Sequence, residues 1–185
     1  MDKQRAMNAV KELLLALDQD VNREGLKDTP RRVAEMFMAQ IQGDEYNSDW
    51  CRTFNEDKFD ELILVRDIPI VSMCEHHLVY YTGRAHVGYV AQKQLLGVSK
   101  LARLVYYCAK GFTIQERVTK EVADKLYEAI DPRGCMVVIE ATHGCMSLRG
   151  ARATSSSTVT SAVRGIFRDV PAARSEMLSL LNRGV

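Results

Sequence analysis

Two short stretches of the chain carry side chains that could hold a metal ion. Cys74 and His77 are three residues apart, a spacing that places two side chains on one face of a helical turn. His143 and Cys145 are two residues apart, which places them on one face of an extended segment. With His76 they make five candidate donors, and zinc accepts both cysteine sulfur and histidine nitrogen. Two mixed clusters favour a metal over the alternative of buried thiols and hydrogen-bonded core histidines.

The number of donors used decides what such a metal would do. Three protein ligands leave an open position for water, which is the catalytic arrangement, whereas four donors close the site and make it structural. Five candidates allow either arrangement, so the spacing alone predicts a metal and leaves its role open.

A basic cluster near the start of a predicted helix favours an anion. Ser99 is predicted to cap this helix, and Lys100 and Arg103 then share one face close to its N-terminus. The helix dipole and the free backbone N–H groups favour negative charge at that end. Arg149 follows the second donor pair and adds a guanidinium group, which suits phosphate oxygens. The alternative interpretation is a solvated basic face.

Glu116 has two possible roles. It follows Thr113 by three residues, so the pair could form a capping box at a helix start. Its carboxylate could instead accept paired N–H donors from the edge of a guanine. The sequence pattern alone favours the cap.

Apolar periodicity predicts the elements that position these residues. The predicted helices cover 3–18, 29–43, 99–111, 113–130 and a closing segment from 171, and the predicted strands cover 61–73, 83–91, 135–143 and 155–167. After the first two helices the order is β-β-α-α-β-β, which predicts an α+β fold with helices packed on one face of the sheet. We expect two regions, an N-terminal helical segment at 1–45 and a domain at 46–185.

Composition excludes several classes of protein. The chain has 185 residues, 46% of them hydrophobic, which is enough to bury a core and excludes a disordered chain. A net charge of +1 gives no general reason to expect nucleic acid as a partner. We find no apolar run long enough to cross a membrane and no secretory signal, so we predict a cytoplasmic protein. The odd count of five cysteines then favours reduced thiols.

Five blocks of this sequence, in order and in register, resemble GTP cyclohydrolase I. They are Glu24-Gly25-Leu26 with Thr29–Ala34, Cys74–Val79, Gly97–Arg103, Gln115–Arg117, and His143–Met146 with Arg149-Gly150. The resemblance implies the tunnelling fold, an antiparallel sheet with two helices on one face, preceded here by N-terminal helices. It also implies a homo-oligomer, typically a decamer of two pentameric rings with active sites at subunit boundaries.

The resemblance further implies a role for each residue of the site. Cys74, His77 and Cys145 match the three zinc ligands, and His76 and His143 match the catalytic histidines. The residues that match contacts to GTP are Glu116 with Gln115 at the guanine, Ser99, Lys100, Arg103 and Arg149 at the triphosphate and ribose, and Arg32 as a basic residue given to a neighbouring subunit's site. Glu35 stands where many relatives carry lysine, which removes one expected phosphate contact.

The activity implied is zinc-dependent hydrolysis of GTP. The imidazole ring of the guanine opens, formate leaves, and 7,8-dihydroneopterin triphosphate forms. Two alternatives have to be distinguished from it: a nitrile reductase-like enzyme of the same fold, which uses a nicotinamide cofactor and lacks the zinc triad, and a non-catalytic zinc protein that binds purines through a closed site. The presence of both donor pairs favours the hydrolase.

Overall fold

A computed structural model describes residues 1–42, 53–55 and 59–182. The chain divides into two compact units, Met1–Glu45 and Tyr46–Val185. Among the described residues, no helix is both long and apolar enough to cross a membrane.

The first unit contains the two predicted helices, α1 (Lys3–Ala16) and α2 (Thr29–Gln42). The Asp2 side chain caps α1 by accepting a hydrogen bond from the backbone N–H of Arg5. Lys3 donates to Glu35 at 2.7 Å and so joins the two helices. Apolar spacing correctly predicted both helices, although most of their side chains are at least partly exposed.

The second unit follows the predicted order with a few short additional elements. Its elements are β1 (Thr53–Asn55), β2 (Leu62–Cys74), β3 (Val79–Val90), β4 (Gln94–Leu96), α3 (Val98–Cys108), β5 (Phe112–Thr113), α4 (Gln115–Ile130), β6 (Gly134–His143), α5 (Gly144–Ser147), β7 (Thr158–Gly165), α6 (Ile166–Asp169) and α7 (Pro171–Asn182).

The main sheet has the strand order β5-β2-β3-β6-β7. Its long strands are all antiparallel to their neighbours, and only the two-residue β5 lies parallel to β2. In this register Tyr81 on β3 is opposite both Ser72 on β2 and His143 on β6. The predicted α+β class and the order of the long strands and helices, which is that of the tunnelling fold, are confirmed.

Helices α3 and α4 cover one face of this sheet. Val118, Val122, Leu126 and Ile130 form the buried stripe predicted for α4, and they belong to one core cluster with odd-numbered residues of β3 and β6. Even-numbered positions of the same strands point the other way, since side chains alternate along a strand. There, Val90 and Met136 join Phe167 of α6 and Met177 of α7 in a second cluster.

Two predicted helix caps are wrong. Ser99 does not cap α3, because the helix begins at Val98 and Gly97 takes the capping position without a side-chain bond. The capping box at Thr113 and Glu116 does not form either: Ile114 precedes α4, also without a side-chain cap. Thr113 lies on β5, where its hydroxyl bonds with buried partners across the sheet instead of with the helix.

Candidate metal centre and active site

A tight turn at the end of β2 brings the first donor pair together. Cys74 is the last residue of the strand, and its carbonyl accepts a hydrogen bond from the backbone N–H of Leu78 at 2.9 Å. This turn places the Sγ of Cys74 3.9 Å from the Nδ1 of His77. Spacing of three residues therefore does place both donors on one side of a turn, as predicted.

The second stretch is not extended as predicted. β6 ends at His143, and Cys145 lies on the short helix α5. Gly144 makes this change of direction possible, because a Cβ there would lie 2.4 Å from Val79 and 2.8 Å from the carbonyl of Tyr80. The close approach of β3 thus requires glycine, and the chain changes from strand to helix between His143 and Cys145.

Cys74, His77 and Cys145 come together as a three-donor group. Their ligand atoms all lie within 4.8 Å of one another, although the two stretches are far apart in sequence. A tetrahedral ion with bonds of about 2.0–2.3 Å holds its ligand atoms roughly 3.3–3.8 Å apart, so a small contraction closes the group on a metal. Two sulfurs and one imidazole nitrogen are a donor set that suits zinc. The group fits a metal cofactor.

The environment of Cys145 is typical of a site that needs a cation. Burial raises the pKa of its thiol, and the neighbouring Cys74 raises that pKa further. Two thiolates this close repel each other unless positive charge lies near them. Arg149 acts in the opposite direction and lowers the pKa of Cys145, which places its guanidinium within electrostatic reach of the donors.

His143 lies two residues from Cys145 and is held on two sides. Its Nε2 is 2.7 Å from the Oε1 of Gln115, and its ring stacks on the ring of Tyr81 with centroids 4.7 Å apart and an angle of 11°. Burial lowers the pKa of His143, and the negative charge of Glu116 partly offsets this effect. A half-buried imidazole with fixed orientation is suited to exchanging protons near neutral pH.

His76 is placed differently, on the exposed side of the turn. Its side chain is 64% exposed, and its Nε2 lies 3.9 Å from the carboxylate of Glu75. Glu75 in turn makes a two-pronged ion pair with Arg117, at 2.9 and 3.1 Å. This pair holds the pKa of Glu75 low, and it joins the metal-binding turn to the first turn of α4.

The Glu75–Arg117 pair was missed at the sequence level. Glu75 lies in the motif of the first donor pair, and Arg117 lies in the motif of Glu116. The spacing within one motif does not indicate a contact with the other motif. The contact of Tyr81 with His143 was likewise not predicted from the sequence.

The residues expected to bind substrate occupy four places, and one of these is the segment just after α5, where Arg149 is exposed. Glu116 is exposed in the first turn of α4, while the neighbouring Gln115 is buried with its amide engaged inside the protein. Ser99, Lys100 and Arg103 lie on the first two turns of α3. Arg32 lies on α2 in the other unit, 3.6 Å from Asp28. Cys51 has no donor partner at ligand spacing in the sequence, which predicts a packing or surface residue, and it lies outside the described residues.

A three-donor group that fits a metal cofactor, next to a positioned histidine on this sheet, is the site of an enzyme of the tunnelling-fold class. Comparison with known proteins identifies the family. Residues 6–182 match the family model described as GTP cyclohydrolase I. The chain belongs to the GTP cyclohydrolase I family, and the predicted hydrolase class is thereby confirmed.

Individual relatives agree over nearly the whole chain. It is 48% identical over 184 residues to GTP cyclohydrolase 1 of Caldanaerobacter subterraneus subsp. tengcongensis, covering 98% of each protein. It is 46% identical to the Bacillus subtilis protein of that name, covering 99% of this chain and 97% of the relative. The apo crystal structure of an archaeosine synthase QueF-Like covers 56% of this chain and 93% of its own, with a TM-score of 0.47 and 13% identity, and carries no weight in the assignment.

Proposed function

We propose that the chain hydrolyses GTP, opening the imidazole ring of the guanine, releasing C8 as formate and forming 7,8-dihydroneopterin triphosphate. The observation that carries the proposal is the three-donor group of Cys74, His77 and Cys145, found in a chain of this family. The names of the relatives support GTP as the substrate. A closed structural site is disfavoured, because the group found among the described residues has three donors.

The nucleotide would be held at both ends. Glu116 is an exposed carboxylate that can accept the N1–H and the exocyclic amine of guanine, a charge-assisted pair of hydrogen bonds. Lys100, Arg103 and Arg149 are the cations assigned to the triphosphate, with Ser99 beside them. None of these contacts touches the reacting carbon, so their binding energy serves to orient the purine.

Cys74, His77 and Cys145 would hold a zinc ion. When bound, such an ion lowers the pKa of a water molecule to about 7 and so supplies a nucleophile at neutral pH. Water adds to C8, the ring nitrogens gain protons as the ring opens, and a second hydrolysis frees C8 as formate. His143 and His76 are the side chains suited to carry those protons. After formate has left, the ribose rearranges and closes onto the amine.

This proposal has three finer parts: zinc as the particular metal, a decamer of two pentameric rings, and a cytoplasmic location. The chemistry of the donor set supports zinc, and family membership supports the oligomer, with Arg32 reaching a neighbouring subunit's site. Residues 1–45 are proposed as a helical segment separate from the catalytic domain at 46–185.

One incubation tests the proposal. Purified, metal-loaded chain is mixed with GTP, and formate is quantified together with the fluorescence of the oxidised pterin. We expect one formate per GTP consumed, and no formate from ATP, whose adenine lacks the edge that Glu116 recognises. Binding of GTP without formate would instead indicate a purine-binding protein, and consumption of a reduced nicotinamide with a nitrile substrate would indicate a reductase.

A further inference from the structure

The side-chain amide of Gln115 can point in only one direction. Gln115 is 1% exposed, and its Nε2 lies 3.0 Å from the carbonyl of Ile139 and 2.9 Å from that of Thr158. It also lies 3.0 Å from the Oγ1 of Thr160. Carbonyl oxygens only accept hydrogen bonds, so the donor end of the amide must face them. The Oε1 of Gln115 therefore faces His143.

A chain of hydroxyl groups fixes the same direction independently. Thr119 donates to the backbone carbonyl of Gln115 at 2.8 Å, which uses its only hydrogen. The bond of 2.6 Å between Thr160 and Thr119 must then be donated by Thr160. Thr160 has no hydrogen left and can only accept from Gln115. Every bond in this chain has one allowed direction, and all of them agree.

The orientation of Gln115 decides which nitrogen of His143 carries hydrogen. Oε1 is an acceptor, so the Nε2 of His143, 2.7 Å away, must be the donor. In a neutral imidazole one nitrogen carries hydrogen and the other has a free lone pair. Nδ1 is therefore the nitrogen of neutral His143 that can take up a proton.

Tyr81 holds the plane of the same imidazole. Tyr81 is fully buried, and a second ordered chain fixes its hydroxyl. Ser72 donates to the carbonyl of Ala109 at 2.7 Å, so Thr113 must donate to Ser72 at 2.7 Å and Tyr81 to Thr113 at 2.6 Å. The ring of Tyr81, thus fixed, lies nearly parallel to that of His143.

From these contacts we infer that Gln115 is a positioning residue, which holds His143 in the Nε2–H tautomer and leaves Nδ1 as the atom that exchanges protons with the substrate. This role rests on the proposed function, in which His143 is one of the two histidines that carry protons to the ring nitrogens. It differs from the expectation of a side-chain contact with guanine, since every polar atom of the Gln115 side chain is engaged within the protein.

The tautomer can be measured directly by nitrogen NMR on metal-loaded protein labelled with ¹⁵N-histidine. The chain has four histidines, so the His143 signals are assigned by comparison with His143→Gln. We expect the Nε2–H pattern for His143 in the wild type and its loss in Gln115→Met. An Nδ1–H pattern in the wild type would overturn the inference.

Kinetics separate positioning from substrate contact. Gln115→Met should lower kcat by about 10- to 100-fold, the usual loss when a group that orients a functional side chain is removed, with an unchanged KM for GTP and unchanged metal content. A raised KM with an unchanged kcat would show a guanine contact and overturn the positioning role.

If Gln115→Met does not fold, two milder substitutions of Thr160 test the same inference. Thr160→Val removes one acceptor of the amide and keeps the shape of the side chain, while Thr160→Ser keeps the hydroxyl. We expect a lower kcat for the valine variant and a kcat close to wild type for the serine variant. Equal kcat values would contradict the inference.

The same experiments distinguish a failure of the positioning role of Gln115 from a failure of the proposed function. Formate release by a wild type with the Nδ1–H tautomer would overturn the positioning role and leave the function standing. The Nε2–H tautomer in a chain that releases no formate would overturn the function, and with it the role given to Nδ1.

Discussion

The metal donors and the side chains around His143 belong to the same sheet but are fixed in different ways. Cys74 and His77 are joined by one local turn, and only Cys145 comes from elsewhere in the chain. His143 is held by Gln115 and Tyr81, which lie on a helix start and on another strand. The Cys74–His77 pair depends on short-range geometry that one residue can break, whereas the contacts of His143 form only when the complete fold assembles.

The largest expected effect comes from removing one donor. Cys145→Ala should reduce bound metal from one ion per chain to nearly none and abolish formate release, because two remaining donors hold zinc weakly. Metal content is measured on the purified protein. Cys108→Ala, which removes a buried thiol far from any donor partner in sequence, is the matched control and should keep its metal. A Cys145→Ala protein with a full complement of metal would refute the ligand assignment.

Removing His143 should slow the chemical step while leaving the binding of metal and GTP intact. His143→Ala should bind zinc and GTP yet lower kcat by about 100- to 10,000-fold, the usual contribution of a general acid or base. Single-turnover formate release measures this directly, and His86→Ala serves as a control on another part of the sheet. Normal formate production by His143→Ala would remove this residue from the mechanism.

A smaller effect is expected from the ion pair that joins the two regions. Arg117→Met keeps the apolar stem and removes the guanidinium that Glu75 contacts, so the metal-binding turn is less firmly held against α4. We expect a few-fold loss in kcat/KM. Because the pair is partly exposed, salt should screen it and narrow the difference from wild type. A difference that does not change with salt would argue against an electrostatic cause.

The smallest effect is expected in the rate at which thiols are modified. This rate is compared between the donor Cys145 and the other cysteines. Burial raises the pKa of Cys108 and of Cys135 to about 12, so both should carry little thiolate at pH 8. In metal-free protein, iodoacetamide should modify partly exposed Cys145 before either of them, as read by mass spectrometry of peptides. Bound metal should protect Cys145. Rapid modification of Cys135 in folded protein would contradict its buried position.

This comparison also shows how far the sequence could predict the structure. The Cys74–His77 turn and the buried stripe of α4 were correctly predicted, because each depends on spacing within one element. The extended conformation expected after His143 was wrong, since Gly144 and the approach of β3 turn the chain there. The cap at Thr113 was wrong because tertiary partners such as Ser72 outcompete the local bond, and the cap at Ser99 was wrong because α3 already begins at Val98.

The bond between His143 and Gln115 could not have been predicted in this way. The two residues are 28 positions apart, and their contact depends on the register between β6 and β7, which anchor the Gln115 amide, and on where α4 begins. No periodicity within either segment contains that information. The Glu75–Arg117 pair, 42 positions apart, escaped prediction for the same reason.

The most direct test of the central claim is zinc X-ray absorption on the purified protein. Three protein donors and an open position predict two sulfur ligands at about 2.3 Å and two lighter ligands at about 2.0–2.1 Å, one from His77 and one from water. Adding GTP should perturb the lighter shell and leave the sulfur shell unchanged. Four protein ligands with no response to GTP, or zinc without sulfur ligands, would contradict the account.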